Sequence, residues 1–158
     1  KDFIEKDFTL SFARDMAAAL AKKGKRVHMS RKSDLTLSLK DRIRFSAQKS
    51  GDIFISIHVS SRNSFATYTT PKSDQLKTVA IAKAIRENIK KDVNADIRHE
   101  NFALPLLADR SMPAILIELP NPDEFKYDKK RKDLIINSIL KGISTAGGSE
   151  TPAESQVY

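Results

Sequence analysis

Hydrophobic positions repeat along the chain with two periods, and the two periods alternate. Over residues 10–20 the apolar positions recur every three or four residues, which predicts a helix, and Gly24 predicts its end. Residues 25–31 then alternate between apolar and polar, as a short strand does. Ser38 has the spacing of a helix cap and predicts a second helix that runs through Gln48.

Two later segments, 52–58 and 113–119, are almost wholly apolar. Each is too short for most helices and rich in β-branched residues, a pattern typical of strands buried on both faces of a parallel sheet. Between them the sequence predicts a strand at 65–69, a long helix capped by Ser73 and an irregular strand within 97–107.

The last predicted element is an amphipathic helix over 134–143, so the main order is helix, strand, helix, strand, helix, strand, helix. This order predicts a single α/β domain with a mostly parallel sheet and helices on both faces. We assign residues 1–145 to that domain and residues 146–158, which are small and polar, to a disordered tail or linker. Because such domains commonly open with a strand, we expect the first strand to be missing and to lie before Lys1.

Composition limits the chemistry that the domain can carry. The chain has 158 residues, 40% hydrophobic and 30% charged, as ordinary globular domains do. It has no cysteine, which excludes disulfides, thiolate metal sites and cysteine nucleophiles, so metal ligands must be His, Asp or Glu. The histidines are His28, His58 and His99. We predict no transmembrane segment, because no apolar run approaches the ~20 residues needed, and no signal peptide is recognisable.

The net charge of +8 favours a polyanionic partner such as nucleic acid, an anionic cell wall or a membrane surface. The alternative is that the scattered lysines are simply solvated. The sequence carries no helix-turn-helix, zinc-finger or aromatic RNA-binding signature, so nucleic acid is not expected as a partner.

Two of the predicted buried strands end in a titratable residue, one in His58 and the other at Glu118. Ligands of open α/β sheets bind at the carboxyl ends of strands, and neighbouring strands lie ~4.8 Å apart. The pair therefore suits a metal site or an acid–base pair. Taken singly, His58 could instead bond to backbone and Glu118 could pair with a lysine. Glu5, just before the first helix, by itself reads as an acid that favours the helix dipole.

Short motifs in a fixed order resemble those of the zinc-dependent N-acetylmuramoyl-L-alanine amidases, the cell-wall hydrolases called type 3. The likeness covers roughly residues 1–143. Its pieces are Ile4–Asp7, Ser30-Arg31 with Asp34, Leu37–Arg42, the strand that ends Ser56-Ile57-His58, Met112-Pro113-Ala114 followed by Ile117–Leu119, and the turn Asn121–Glu124.

The resemblance implies a mechanism and a place of action. Zinc would be held by Glu5, His58 and a histidine on the missing first strand, and Glu118 would move the proton of the bound water. The substrate would be the amide between N-acetylmuramic acid and L-alanine in peptidoglycan, so the protein would be secreted, periplasmic or associated with the cell wall. Neither His28 nor His99 stands in the place of the missing ligand.

The sequence departs from the family pattern beside the expected site. Val59-Ser60 follows the Ser-Ile-His motif where the family has Ala-Asn, and Pro120 replaces a Gly-Phe pair after the glutamate. The alternative to an active hydrolase is therefore a catalytically impaired domain of the same fold that binds peptidoglycan or a protein partner.

Overall fold

A computed structural model describes residues 5–71, 75–108, 111–147 and 154–157. Helices and strands alternate along most of the chain, as predicted. Among these residues no helix is long and apolar enough to cross a membrane. The elements in chain order are α1 (Glu5–Lys22), β1 (Arg26–Met29), α2 (Leu39–Lys49), β2 (Ile53–Val59), β3 (Phe65–Thr69), α3 (Gln75–Val93), β4 (Ile97–Asn101), β5 (Ala114–Leu119), α4 (Lys129–Gly147) and β6 (Glu154–Val157).

The strands form one sheet in the order β1-β6-β2-β5-β3-β4. All neighbouring strands run parallel except β3 and β5, which are antiparallel. The prediction of a mostly parallel sheet in an α/β domain is confirmed. The two near-continuous apolar segments, β2 and β5, lie side by side in the middle of the sheet, where a strand is covered on both faces.

The side chains of β2 alternate between two hydrophobic layers. Ile55 faces a layer that contains residues of α1, α3 and α4, and Ile115 of β5 joins it there. Phe54 faces the other layer, together with Leu107 and with Ile43 of α2. The prediction of helices on both faces is therefore confirmed; of the described helices, α1, α3 and α4 cover one side and α2 the other.

The predicted ends of α2 agree with the structure, whereas α4 (Lys129–Gly147) extends beyond the predicted 134–143 at both ends. The Ser38 hydroxyl accepts a hydrogen bond from the Asp41 amide at 3.1 Å, so Ser38 caps α2 as expected. Helix α1 begins at Glu5 and includes this residue, which the sequence placed just before the helix. The predicted cap Ser73 lies outside the described residues.

The disordered tail or linker predicted over 146–158 differs from the structure. Ala146 and Gly147 still belong to α4, and Glu154–Val157 form β6 between β1 and β2. The remaining residues of that segment, 148–153 and 158, are not described. A short polar sequence can pair here because both neighbours offer backbone groups, and ladder hydrogen bonds do not depend on side-chain type.

Helices α3 and α4 approach each other closely at Gly142. A Cβ atom at this position would lie 2.5 Å from the Ile85 amide nitrogen and 2.6 Å from its Cα. Further along, Asp92 of α3 accepts hydrogen bonds from Lys141 at 2.7 Å and from Ser138 at 3.2 Å, both on α4. The missing side chain of Gly142 thus lets α3 and α4 pack closely, and the Lys141–Asp92 ion pair links the same two helices.

Candidate active site

The carboxyl ends of β2 and β5 bring His58 and Glu118 together. The two strands are parallel neighbours, and these residues are direct partners in the ladder. Partners in a ladder point to the same side of the sheet, which here is the side of Phe54 and α2. The predicted meeting of the two residues at one sheet edge is confirmed.

Glu5 joins this pair from the first turn of α1. Its Oε1 atom lies 3.4 Å from His58 Nδ1. The same oxygen accepts a hydrogen bond from the Val59 amide at 3.1 Å, so the end of β2 fixes the position of the carboxylate. A helix-start acid that only favoured the helix dipole would have no need of these two contacts.

His58 is held in its neutral form. Burial lowers the pKa of the imidazole below its usual value, with Arg42 acting in the same direction and Glu5 opposing both. A neutral ring keeps a nitrogen lone pair, which is the form that binds metal. Its Nε2 atom is buried and has no hydrogen-bond partner in the part of the chain that the structure describes. The ring is therefore not simply tied to backbone.

The spacing of the two donor atoms fits a tetrahedral zinc ion. With zinc–ligand distances near 2.0–2.1 Å, two donors of one tetrahedron lie about 3.3 Å apart. Glu5 Oε1 and His58 Nδ1 are separated by 3.4 Å, which matches one edge of such a tetrahedron. Among the described residues, no group of three or more His, Cys, Asp or Glu side chains could hold a metal ion.

Glu118 is held from the opposite side by a tyrosine and an arginine. Its Oε2 atom accepts a hydrogen bond from the Tyr68 hydroxyl at 2.9 Å and lies 3.7 Å from Arg98 Nη2. The Glu118 side chain is 23% exposed, so it is not fully buried. Neither Tyr68 nor Arg98 was predicted from the sequence, because only the register of β3 and β4 shows which of their residues share the face of Glu118.

A groove of about 260 Å³ extends from Glu118 along this face. Both polar and apolar side chains line it. Its lining residues are Ser61, Arg62, Tyr68, Arg98, Glu100, Phe102, Leu104, Leu116 and Glu118. A substrate with both charged and apolar groups could bind in it beside Glu118.

The other two histidines lie elsewhere. His99 belongs to β4, where its Nδ1 atom is 3.1 Å from the Thr67 hydroxyl, and its ladder position places it on the face opposite Glu118. Burial lowers the pKa of this ring, and Arg86 adds to the effect. His28 lies on β1, which β6 separates from β2.

The sequence as a whole matches one protein family. The model of the family described as N-acetylmuramoyl-L-alanine amidase matches residues 1–145. The chain belongs to this amidase family. A probable cell wall amidase LytH of Staphylococcus saprophyticus is 30% identical over 148 residues, covering 88% of this chain and 48% of that protein. The corresponding LytH of Staphylococcus aureus is 28% identical over 153 residues. The amidase chain thus spans about half the length of the curated relatives it matches.

Solved amidase structures share its fold. The CwlD amidase from Clostridioides difficile, solved in complex with the GerS lipoprotein, superposes with a TM-score of 0.79 at 23% identity, covering 92% of this chain and 87% of that one. An N-acetylmuramoyl-L-alanine amidase from Clostridium difficile 630 gives a TM-score of 0.78 at 27% identity, covering 95% and 87%. The amidase fold predicted by resemblance is confirmed.

Proposed function

We propose that this amidase domain is a zinc-dependent hydrolase that cleaves the amide between N-acetylmuramic acid and L-alanine in peptidoglycan. The observation that carries the proposal is the 3.4 Å separation of Glu5 Oε1 and His58 Nδ1, with Glu118 beside them on the next strand. Family membership over residues 1–145 supports the substrate class.

Glu5 and His58 would hold the zinc ion, and a third protein ligand would precede Lys1 in a longer form of the chain. Bound zinc would supply Lewis-acid chemistry, polarising the scissile carbonyl and acidifying a water molecule. The Val59 amide keeps Glu5 turned toward His58, and burial keeps His58 neutral. The hydrogen bond orients Glu5 and the lowered pKa keeps a lone pair on His58, so both side chains are in the form that would bind a metal.

Glu118 would act as the general base. It would accept a proton from the attacking water and then deliver that proton to the nitrogen of the leaving L-alanine, which departs as an amine. Its position as the ladder partner of His58 and the partial exposure of its side chain support this role.

The proposed place of action is the cell wall, outside the cytoplasm. The matched relatives are named cell wall amidases, and the net charge of +8 suits a surface that carries anionic stem peptides and polymers. Positive charge on the whole domain would raise its concentration at that surface.

A second candidate function is binding without catalysis, to peptidoglycan or to a protein. The departures at Val59-Ser60 and Pro120 favour it, because they adjoin His58 and Glu118 in the chain. One structural neighbour, CwlD, was solved with a lipoprotein partner, which makes a protein partner worth testing here.

Elemental analysis of zinc in two forms separates the candidates. One form is this chain, and the other extends upstream of Lys1. We expect about one zinc per molecule in the extended form and little in the short form, because two protein ligands hold zinc weakly. Cleavage of a muropeptide by the extended form would then complete the test. Absence of zinc from both forms would contradict the hydrolase proposal and leave the binding domain.

A further inference from the structure

We propose that Tyr68 and Arg98 are positioning residues that fix the Glu118 carboxylate so that one of its oxygens is reserved for proton transfer. The inference rests on the proposed function, in which Glu118 is the general base. It goes beyond that proposal by giving a role to two residues that no sequence motif had indicated.

Both described contacts of the carboxylate fall on the same oxygen. The Tyr68 hydroxyl donates to Oε2 at 2.9 Å, and Arg98 Nη2 lies 3.7 Å from the same atom. Tyr68 and Arg98 therefore both contact Oε2, which leaves Oε1 to accept the proton of the attacking water. A carboxylate held at one oxygen cannot rotate about its last bond without breaking these contacts.

Tyr68 is itself well placed to act as a permanent donor. Its ring packs edge-on against Phe102, with centroids 5.7 Å apart and an angle of 89° between the planes. Burial, followed by the hydrogen bond to Glu118, raises the pKa of its hydroxyl above the usual value. The phenol therefore keeps its proton at neutral pH and continues to donate to the carboxylate.

Arg98 has two further contacts, with Ser64 and Glu100, that fix its guanidinium beside Glu118. Its Nε donates to the Ser64 hydroxyl at 3.2 Å, and its Nη1 contacts Glu100. The guanidinium thus contacts two carboxylates, Glu100 on β4 and Glu118 on β5. A planar group with fixed donors suits this arrangement better than a lysine ammonium would.

Positioning of this kind has a distinct kinetic consequence. A misplaced base impairs proton transfer but leaves the groove able to bind substrate, so kcat should fall while KM stays within about twofold. Loss of a general structural contact would instead lower stability and leave kcat of the folded molecules unchanged.

The first experiment is a double-mutant cycle on this chain, which needs no metal. Tyr68→Phe keeps the ring and removes the hydroxyl, and Glu118→Ala removes the acceptor. Unfolding of the wild type, both single variants and the double variant by urea should show that the two substitutions are coupled by about fivefold to tenfold in the unfolding equilibrium constant. Additive effects would overturn the proposed contact.

The second experiment measures muropeptide hydrolysis and zinc content in the extended form. We expect Tyr68→Phe to lower kcat about tenfold with KM and zinc content unchanged. We expect Arg98→Lys to retain a higher kcat than Arg98→Gln, because lysine keeps the positive charge. Tyr127→Phe is the matched control. It removes another half-buried tyrosine hydroxyl, which donates to the Pro120 carbonyl at 2.8 Å, and should lower the melting temperature but not kcat.

The outcomes distinguish the inference from the function on which it rests. If Glu118→Gln abolishes hydrolysis and Tyr68→Phe has the kcat of the wild type, the positioning role is wrong and the proposed function stands. If Glu118→Gln retains the rate of the wild type, or if the zinc-loaded wild type does not hydrolyse muropeptide, the proposed function fails and the positioning role fails with it, whatever the double-mutant cycle shows.

Discussion

At the scale of single residues, the backbone of β2 prepares Glu5 for its proposed role. The Val59 amide donates to Glu5 Oε1 at 3.1 Å, and the adjacent residue His58 presents Nδ1 to the same oxygen. The start of α1 and the end of β2 therefore set the distance between Glu5 Oε1 and His58 Nδ1, the two proposed ligand atoms. Outer contacts of this kind orient metal ligands and usually strengthen metal binding.

Replacement of His58 by alanine should remove zinc from the protein. In the extended form we expect His58→Ala to lower zinc affinity by at least about a hundredfold, because one of three protein ligands is lost. His99→Ala is the control, since His99 bonds to Thr67 on the opposite face of the sheet and should leave zinc content unchanged. Equal zinc loss in both variants would contradict the role of His58. Elemental analysis and competition with a chelator measure the effect.

Replacement of Glu118 by glutamine should separate chemistry from metal binding. The amide can still contact Tyr68 and Arg98 at one atom but cannot accept the proton of water, so we expect hydrolysis to fall by about 10²–10⁴-fold. Zinc content and melting temperature should change little. Muropeptide cleavage measured beside zinc content tests this, and a rate equal to the wild type would remove Glu118 from the mechanism.

The sequence could identify some of these residues and not others for a physical reason. His58 and Glu118 stand at the ends of near-continuous apolar strands, so their position at a common edge follows from the pattern alone. Glu5 had no such signal, and only the family resemblance indicated it. Tyr68 and Arg98 could not be predicted, because their side of the sheet depends on the antiparallel pairing of β3 with β5.

At the scale of elements, the pair α3 and α4 depends on a residue without a side chain. The Ile85 backbone fills the space in which a Cβ of residue 142 would lie. Gly in a helix normally costs about 1 kcal/mol relative to Ala, so its presence at this position reflects close packing.

Gly142→Ala should therefore destabilise the protein despite the better helix propensity of alanine. The new methyl group meets backbone atoms at 2.5–2.6 Å, and the strain of overpacking is about 1–3 kcal/mol. A loss of this size lowers the melting temperature by about 2–4 °C per kcal/mol. Asn137→Ala, at an exposed position of the same helix, should leave the melting temperature equal or slightly higher. Equal melting temperatures for the two variants would show that α4 shifts away from α3 at no cost in stability.

The ion pair between these helices should make stability depend on pH. The hydrogen bond from Lys141 lowers the pKa of Asp92 below its usual value. A carboxyl group with a lowered pKa stabilises the fold above its unfolded pKa of about 3.9, and this contribution is lost as pH falls through the folded pKa. Asp92→Asn should therefore melt below the wild type at pH 7, and the difference should disappear in acid. Asp133→Asn, which breaks an exposed pair, should show a smaller difference at pH 7.

Most elements could be predicted because hydrophobic periodicity determined them, as β2 and α1 illustrate. Strand β6 could not, because Glu154–Val157 carry no apolar alternation, and its backbone pairs with β1 on one side and β2 on the other. The irregular strand expected over 97–107 is regular only at Ile97–Asn101. Residues beyond it include Pro105, which has no amide hydrogen for a ladder.

At the scale of the whole molecule, the net charge of +8 should strengthen binding to the cell wall, the proposed place of action. Raising ionic strength from about 0.05 M to about 0.5 M shortens the range of electrostatic attraction more than threefold and should release the protein from isolated sacculi. Sucrose at equal osmolality is the control and should release little. Sedimentation of sacculi with bound protein measures both, and retention at high salt would exclude attraction by charge.

The position of β6 has a consequence for how the sheet opens. Among the described residues, β1 pairs with no strand other than β6, so Val27 and Met29 are joined to the rest of the sheet through residues 155 and 157. These partners lie at opposite ends of the chain, and such contacts form late and carry a high cost in loop closure. Amide hydrogens of β1 should therefore exchange with solvent together with those of β6, and sooner than those shared by β2 and β5. In this protein the sheet is expected to fray from the β1 edge inward, leaving the pair that carries His58 and Glu118 as its most durable part.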